Sequence, residues 1–251
     1  MVDTAAQPSL VHYLPIATTV LSVAFGWVLA MRYRERGGLH LLWWTLGVVA
    51  YGTGTALESA ITLFGNSIAL NKAWYVAGAL FGGYPLAQGS VYLHLRRRTA
   101  HWLTALTLPV LIGASILVAL SPVVTEALQS HRPSGAILGW TWIRMITPFV
   151  NLYAVVFLIG GALLSAVRFA RGQTAEDRHR MVGNTLIAIG AILPGIGGGM
   201  AKAGMVEALY VGELVGLVLI WMGFYACTSL AWRAATGPAS ADGGAPALRA
   251  S

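Results

Sequence analysis

The sequence predicts an all-α membrane protein: a seven-transmembrane-helix bundle with its N-terminus outside and its C-terminus cytoplasmic. Three observations carry that prediction. Hydrophobic residues make up 57% of the chain and charged residues only 10%, against about 25% charged in a soluble domain. Apolar stretches recur along almost the whole sequence, each long enough for the roughly 20 helical residues that a bilayer core requires. Between them, Arg-rich and Arg-poor loops alternate.

The seven spans are read at 11–31, 40–64, 71–95, 101–121, 137–167, 181–203 and 207–232. Helices are expected because backbone polar groups in lipid must be satisfied within the segment. The alternating ten-residue pattern of a β-barrel is absent. Span 1 is a retained helix and not a secretory signal, because Met1–Leu10 carries only Asp3 and the arginines come after the apolar run. Spans 3, 5 and 6 contain Pro85, Pro148 and Pro194, which are expected to kink them. Span 6 is rich in glycine, and Asn184, Ala188, Ala191, Gly195, Gly198 and Lys202 share one face. Small residues on one face allow helices to approach closely, so this face is expected at the bundle centre. The expected layout is a bundle over 1–234 and a disordered cytoplasmic tail over 235–251, with no signalling module appended. That tail is rich in Ala, Gly and Pro.

The net charge of +7 could point to nucleic acid, but its distribution does not. Arg32, Arg34 and Arg36 follow span 1. Arg96, Arg97 and Arg98 follow span 3, and Arg168, Arg171, Arg178 and Arg180 follow span 5. Arg233 and Arg249 follow span 7. This is the positive-inside pattern, which sets the orientation and places the clusters against anionic lipid headgroups. No nucleic-acid partner is expected. The partners are the bilayer of the inner (plasma) membrane, a small ligand, and a separate cytoplasmic signalling protein.

Charged residues inside a span are costly and mark candidate sites. Glu58 in span 2, Arg144 in span 5 and Glu213 in span 7 lie at one level, on the order of 10 Å below the outer surface at about 1.5 Å per residue. Each heads a polar stripe: Tyr51, Thr55, Glu58 and Thr62; Trp140, Arg144, Thr147 and Asn151; Tyr210 and Glu213. Helical spacing points these stripes inward. Two readings stay open, a salt-bridge network that fixes packing and the floor of an outward-facing ligand pocket. Lys72, Trp74, Tyr75, Lys202 and Tyr210 would complete such a pocket. Trp43 and Trp44 at the inner interface, with Trp74, Tyr75, Trp140 and Trp142 at the outer one, also fit an aromatic belt. Tyr84, Gln88 and Asn184 lie deeper, where interhelical hydrogen bonds are their expected work.

No catalytic constellation emerges. Ser59, Ser90, Ser165 and Ser229 are expected to lack His or Asp partners, and the single Cys227 excludes an intramolecular disulfide. Among the histidines, only His94 with His40 or His101 has a depth suited to haem ligation. No metal site and no cofactor is expected.

The topology is similar to that of microbial rhodopsins, which hold retinal on a lysine of the last helix. Span 7 has no lysine. A second likeness rests on Trp74-Tyr75, Gly78, Gly89-Ser90, Tyr92 and Arg96-Arg97-Arg98, together with Asn184, Gly190, Gly198, Gly212, Gly216 and Gly223. These residues resemble those of stand-alone seven-helix bacterial membrane proteins and of seven-helix sensory modules of histidine kinases. The resemblance implies a sensory or ligand-binding bundle and carries over no ligand and no functional residue. The expected function is a non-catalytic, receptor-like bundle that binds a small ligand, lipid or ion in its outer half. A proton-coupled or small-solute transporter is the first alternative, and a haem or quinone membrane subunit the second.

Overall fold

The computed structural model describes residues 10–205 and 207–236, with the side chains of Lys202 and of 230–236 outside that description. The described residues are almost entirely helical and form no strand. Five helices are long and apolar enough to cross a membrane: Leu10–Arg36, Arg97–Leu120, Thr141–Ala170, Ala175–Ala201 and Glu207–Ser229. They mark a multi-pass membrane protein.

Helix α1 (Leu14–Arg36) turns into α2 (Leu39–Phe64) through Gly37 and Gly38, at φ 66° and 97°. Those left-handed values favour glycine and make the connection tight. The next segment is broken. It comprises α3 (Ile68–Trp74), a π-helical turn (Tyr75–Leu80), a gap at 81–83, and α4 (Tyr84–His94). Pro85 sits in the first turn of α4, where its missing N–H costs nothing, so the expected kink is a break just before it. Helix α5 (Arg97–Leu120) carries Pro109 inside it.

Residues 121–145 form a folded outer loop of short 3₁₀ turns (Thr125–Ala127, Gly135–Ile137, Thr141–Met145). Span 5 therefore does not begin at 137 as one α-helix. Its regular part is α6 (Ile146–Ala154), a second π turn (Val155–Ile159) and α7 (Gly160–Ala170). Helix α8 (Ala175–Lys202) starts with a capping box between Thr174 and Asp177 and runs through Pro194. Helix α9 (Glu207–Thr236) includes the first two residues of the expected tail, and 237–251 lie outside the described residues.

The helices close into a ring in which α1 meets α2 and α9, α9 meets α8, and α8 meets α7. Helix α4 closes the ring between α2 and the α6–α7 segment, with α5 on its outer flank. One apolar core joins Tyr75, Leu80 and Tyr84 to α5 and to Ile137, Leu138 and Ile143 of the outer loop. A second gathers Phe25, Leu29, Val48, Leu86, Leu217 and Phe224 between α1, α2, α4 and α9.

The closest helix pair is α8 with α9, and its seam differs from the expected face. A Cβ on Gly190 would lie 2.6 Å from the Gly216 carbonyl oxygen, and one on Gly197 2.7 Å from that of Ala208. Gly183 meets Gly223 and Cys227 in the same way. The tight positions thus recur every seven residues, 183–190–197. Gly195 and Gly198, expected at the centre, face open space with nothing within 4 Å of a built Cβ. The helices choose the face on which a glycine stands at each close approach, opposed by Gly216 and Gly223 at two of them, because a missing Cβ lets the backbones come together.

Candidate functional site

Glu58 of α2 is 2% exposed and accepts the indole N–H of Trp74 at 2.7 Å through its Oε1. The geometry follows from two glycines one turn deeper. Gly54 and Gly78 touch, a Cβ on Gly54 falling 3.0 Å from the Gly78 Cα, which lays the π turn against α2. Four residues on from Gly54 is Glu58, and four residues back from Gly78 is Trp74. The close approach thereby sets the indole against the carboxyl. An aromatic-belt reading captures the depth of Trp74 but not its hydrogen bond.

Glu213 of α9 lies close enough to Glu58 for the two carboxyls to interact. Glu213 is half-buried as a residue, but its Oε2 is closed to solvent. The Oε2 atoms of both glutamates receive no N–H or O–H from any other described residue. Two carboxyls can hydrogen-bond only with a proton held between them. Tyr51, two turns deeper on α2, donates its O–H to the Glu213 backbone carbonyl at 3.0 Å and ties the two helices together. Tyr210, 1% exposed, lies one turn outward of Glu213 with its ring edge-on to His12 at 5.6 Å. Thr55 of the same α2 stripe reaches the Thr19 hydroxyl of α1 at 3.0 Å.

Of the expected cations, Arg144 and Lys72 are not at this pair. Arg144 is exposed on the outer 3₁₀ turn and Asn151 is exposed on α6, whereas Trp140 and Thr147 of the same stripe pack against the core beneath the outer loop, so the stripe splits between two directions. Among the described residues the one ion pair is Arg180 with Glu176, at 2.5 Å. Lys72 donates to the carbonyls of Ala119 and Ser121 at 2.9 and 2.7 Å, closing the C-terminal end of α5, where a cation also meets the helix dipole favourably. Tyr75 is buried and pairs with the Thr147 hydroxyl at 2.8 Å, in the core beneath the outer loop. The side chain of Lys202 lies outside the described residues.

The outer loop is held down by side chains whose role the sequence does not signal. Asn71 donates to the Ser134 carbonyl at 2.7 Å and accepts its N–H at 3.0 Å. Asn66 donates to Asn71 and to the Gln129 and Arg132 carbonyls. Arg132 donates to the Ala201 carbonyl at 2.7 Å, at the end of α8.

A second polar cluster occupies the inner half. Tyr153 donates to Gln88 Oε1 at 2.5 Å, and Gln88 donates to the Thr104 hydroxyl at 2.6 Å. The Tyr92 hydroxyl joins Thr104 at 3.1 Å and His101 Nδ1 at 2.9 Å. Tyr84 pairs with Thr107 at 2.7 Å. Asn184 donates to the Arg180 carbonyl within its own helix at 2.8 Å. A polar path through the inner half, not visible in the sequence, therefore links α4, α5 and α6.

One serine has a histidine partner after all. His94 Nε2 lies 2.8 Å from Ser165 Oγ, and its Nδ1 lies 2.8 Å from the Ser90 carbonyl. Both ring nitrogens are engaged, so the pair latches α4 to α7. His40 packs edge-on to Trp44. No group of three His, Cys, Asp or Glu able to hold a metal is present among the described residues. Comparison with family models, with curated proteins and with solved structures finds no match in any of the three.

Proposed function

We propose that this chain is a seven-span, non-catalytic, receptor-like protein of the bacterial inner membrane whose ligand is a proton held by Glu58 and Glu213. The carrying observation is the pairing of two glutamates from different helices, the Oε2 of each closed to solvent and without a hydrogen-bond partner among the described residues. Binding or losing that proton changes the attraction between α2 and α9, and the Arg-rich loops pass the change to a cytoplasmic partner. Helix α2 supports a sixth span, since 26 residues extend roughly 39 Å. The halves α3 and α4 together supply a seventh. The clustering of arginines after spans 1, 3, 5 and 7 supports an outside N-terminus.

Infrared difference spectroscopy on the purified protein tests the reading. A protonated-carboxyl band that shifts in D₂O is expected, absent in both Glu58→Gln and Glu213→Gln. A spectrum without such a band sinks the proposal.

The inner polar chain from Tyr153 to His101 favours a second reading, proton-coupled transport. Proton uptake by proteoliposomes that disappears in Glu213→Gln would select it over the receptor.

A further inference from the structure

We infer that the start of α5 is a discrete binding site for an anionic membrane phospholipid, distinct from the carboxyl pair and independent of what that pair does. A cleft of about 450 Å³ opens there, lined by Arg97, Arg98, His101, Trp102 and Ala105. Both arginines are exposed, and the sequence from 59 to 125 contains no Asp or Glu to neutralise them. His101 is not free to swing, because the Tyr92 hydroxyl holds its Nδ1 at 2.9 Å and is itself joined to Thr104. That leaves Nε2 as the ring nitrogen for a ligand.

The chemistry of the cleft is amphiphilic in a fixed order. Two guanidinium groups supply planar, multidentate donors suited to a phosphate. Trp102 follows, 69% exposed, an aromatic of the kind that settles at the headgroup level. Leu106 and Val110 continue on the same helical face at four-residue spacing, 69% and 55% exposed. A headgroup phosphate in the cleft therefore has its acyl chain led along α5 towards the bilayer centre. A soluble phosphate would use only the first half of this surface. Elsewhere Arg32 packs over the Phe224 ring, and Arg180 pairs with Glu176 and lies over Phe169, so these two are engaged within the protein.

The test uses the full chain in nanodiscs containing phosphatidylglycerol and phosphatidylcholine with matched acyl chains. Native mass spectrometry of the released protein should show phosphatidylglycerol retained in preference to phosphatidylcholine. Arg97→Gln combined with Arg98→Gln should cut that preference at least about fivefold. Arg34→Gln with Arg36→Gln, the same change in net charge, should leave it in place. A phosphatidylglycerol carrying a photoreactive group on its acyl chain should label residues 97–120 in the unmodified protein, which needs no variant to fold. Equal loss in the two double variants, labelling spread over all helices, or equal retention of inorganic phosphate would each overturn the site.

Discussion

Gly190 of α8 and Gly216 of α9 are mutually opposed, each so placed that a Cβ would fall 2.6 Å from the other's carbonyl oxygen. Two helices in lipid gain little from excluding water and are held by close packing, so this contact is where the α8–α9 pair is most sensitive. Gly216→Val is expected to cost about 1–3 kcal/mol through overpacking and to lower the melting temperature in detergent. Gly195→Val, with open space beyond its Cα, should leave it unchanged. Equal effects would mean that the seam is misplaced.

Trp74→Phe keeps the ring and deletes the N–H that Glu58 accepts at 2.7 Å. An acceptor left buried without its donor costs about 1–3 kcal/mol. Thermal unfolding should report that loss, and Trp74→Phe combined with Glu58→Gln should cost less than the sum of the two changes. Strict additivity in this double-mutant cycle would show that the bond contributes nothing.

Asn71 is 1% exposed and holds the Ser134 backbone from both sides. Asn71→Leu removes both bonds and strands the Ser134 N–H. Hydrogen exchange should then rise through 121–145 by about tenfold or more, matching a loss of 1–3 kcal/mol, while α8 and α9 exchange as before. An unchanged pattern would show that the loop is anchored elsewhere.

Gln88→Leu tests the inner cluster. Its amide is 0% exposed and serves both Tyr153 and Thr104. Leucine preserves bulk but leaves the Tyr153 hydroxyl without its acceptor, so about 1–3 kcal/mol of stability should go. If transport is measurable, the same variant should slow it without abolishing proton binding at the carboxyl pair.

Periodicity and charge placement reveal the helices and the shared level of Glu58 and Glu213, because depth along a helix scales with residue count. Direction around the helix is less legible. Arg144 was placed by counting along a helix from 137, yet 137–145 is folded loop, and the side chain leaves towards the outside. On α8 the glycines at 195 and 198 looked as suited to packing as those at 183, 190 and 197. Only the seven-residue recurrence of the second set, matched by Gly216 and Gly223 on α9, distinguishes it. Trp74 illustrates a third limit: a tryptophan near an interface satisfies the belt pattern whether or not it bonds a carboxyl. The Gly54–Gly78 contact that decides the matter joins two segments, and no single-segment pattern contains it.

The break at 81–83 bears on how the protein is assembled. Segments 39–64 and 68–94 are not among the five helices long and apolar enough to cross a membrane, and they are the ones that carry Glu58 and Trp74. Glycine, tyrosine, threonine and a glutamate dilute the first, and the break at 81–83 leaves the second in short helical pieces. Packing holds both segments: α2 lies between α1 and α4, and α4 lies between α2 and the α6–α7 segment. A chain truncated before α9 would lose more than Glu213, since it would also lose the backbone carbonyl that the Tyr51 hydroxyl of α2 holds.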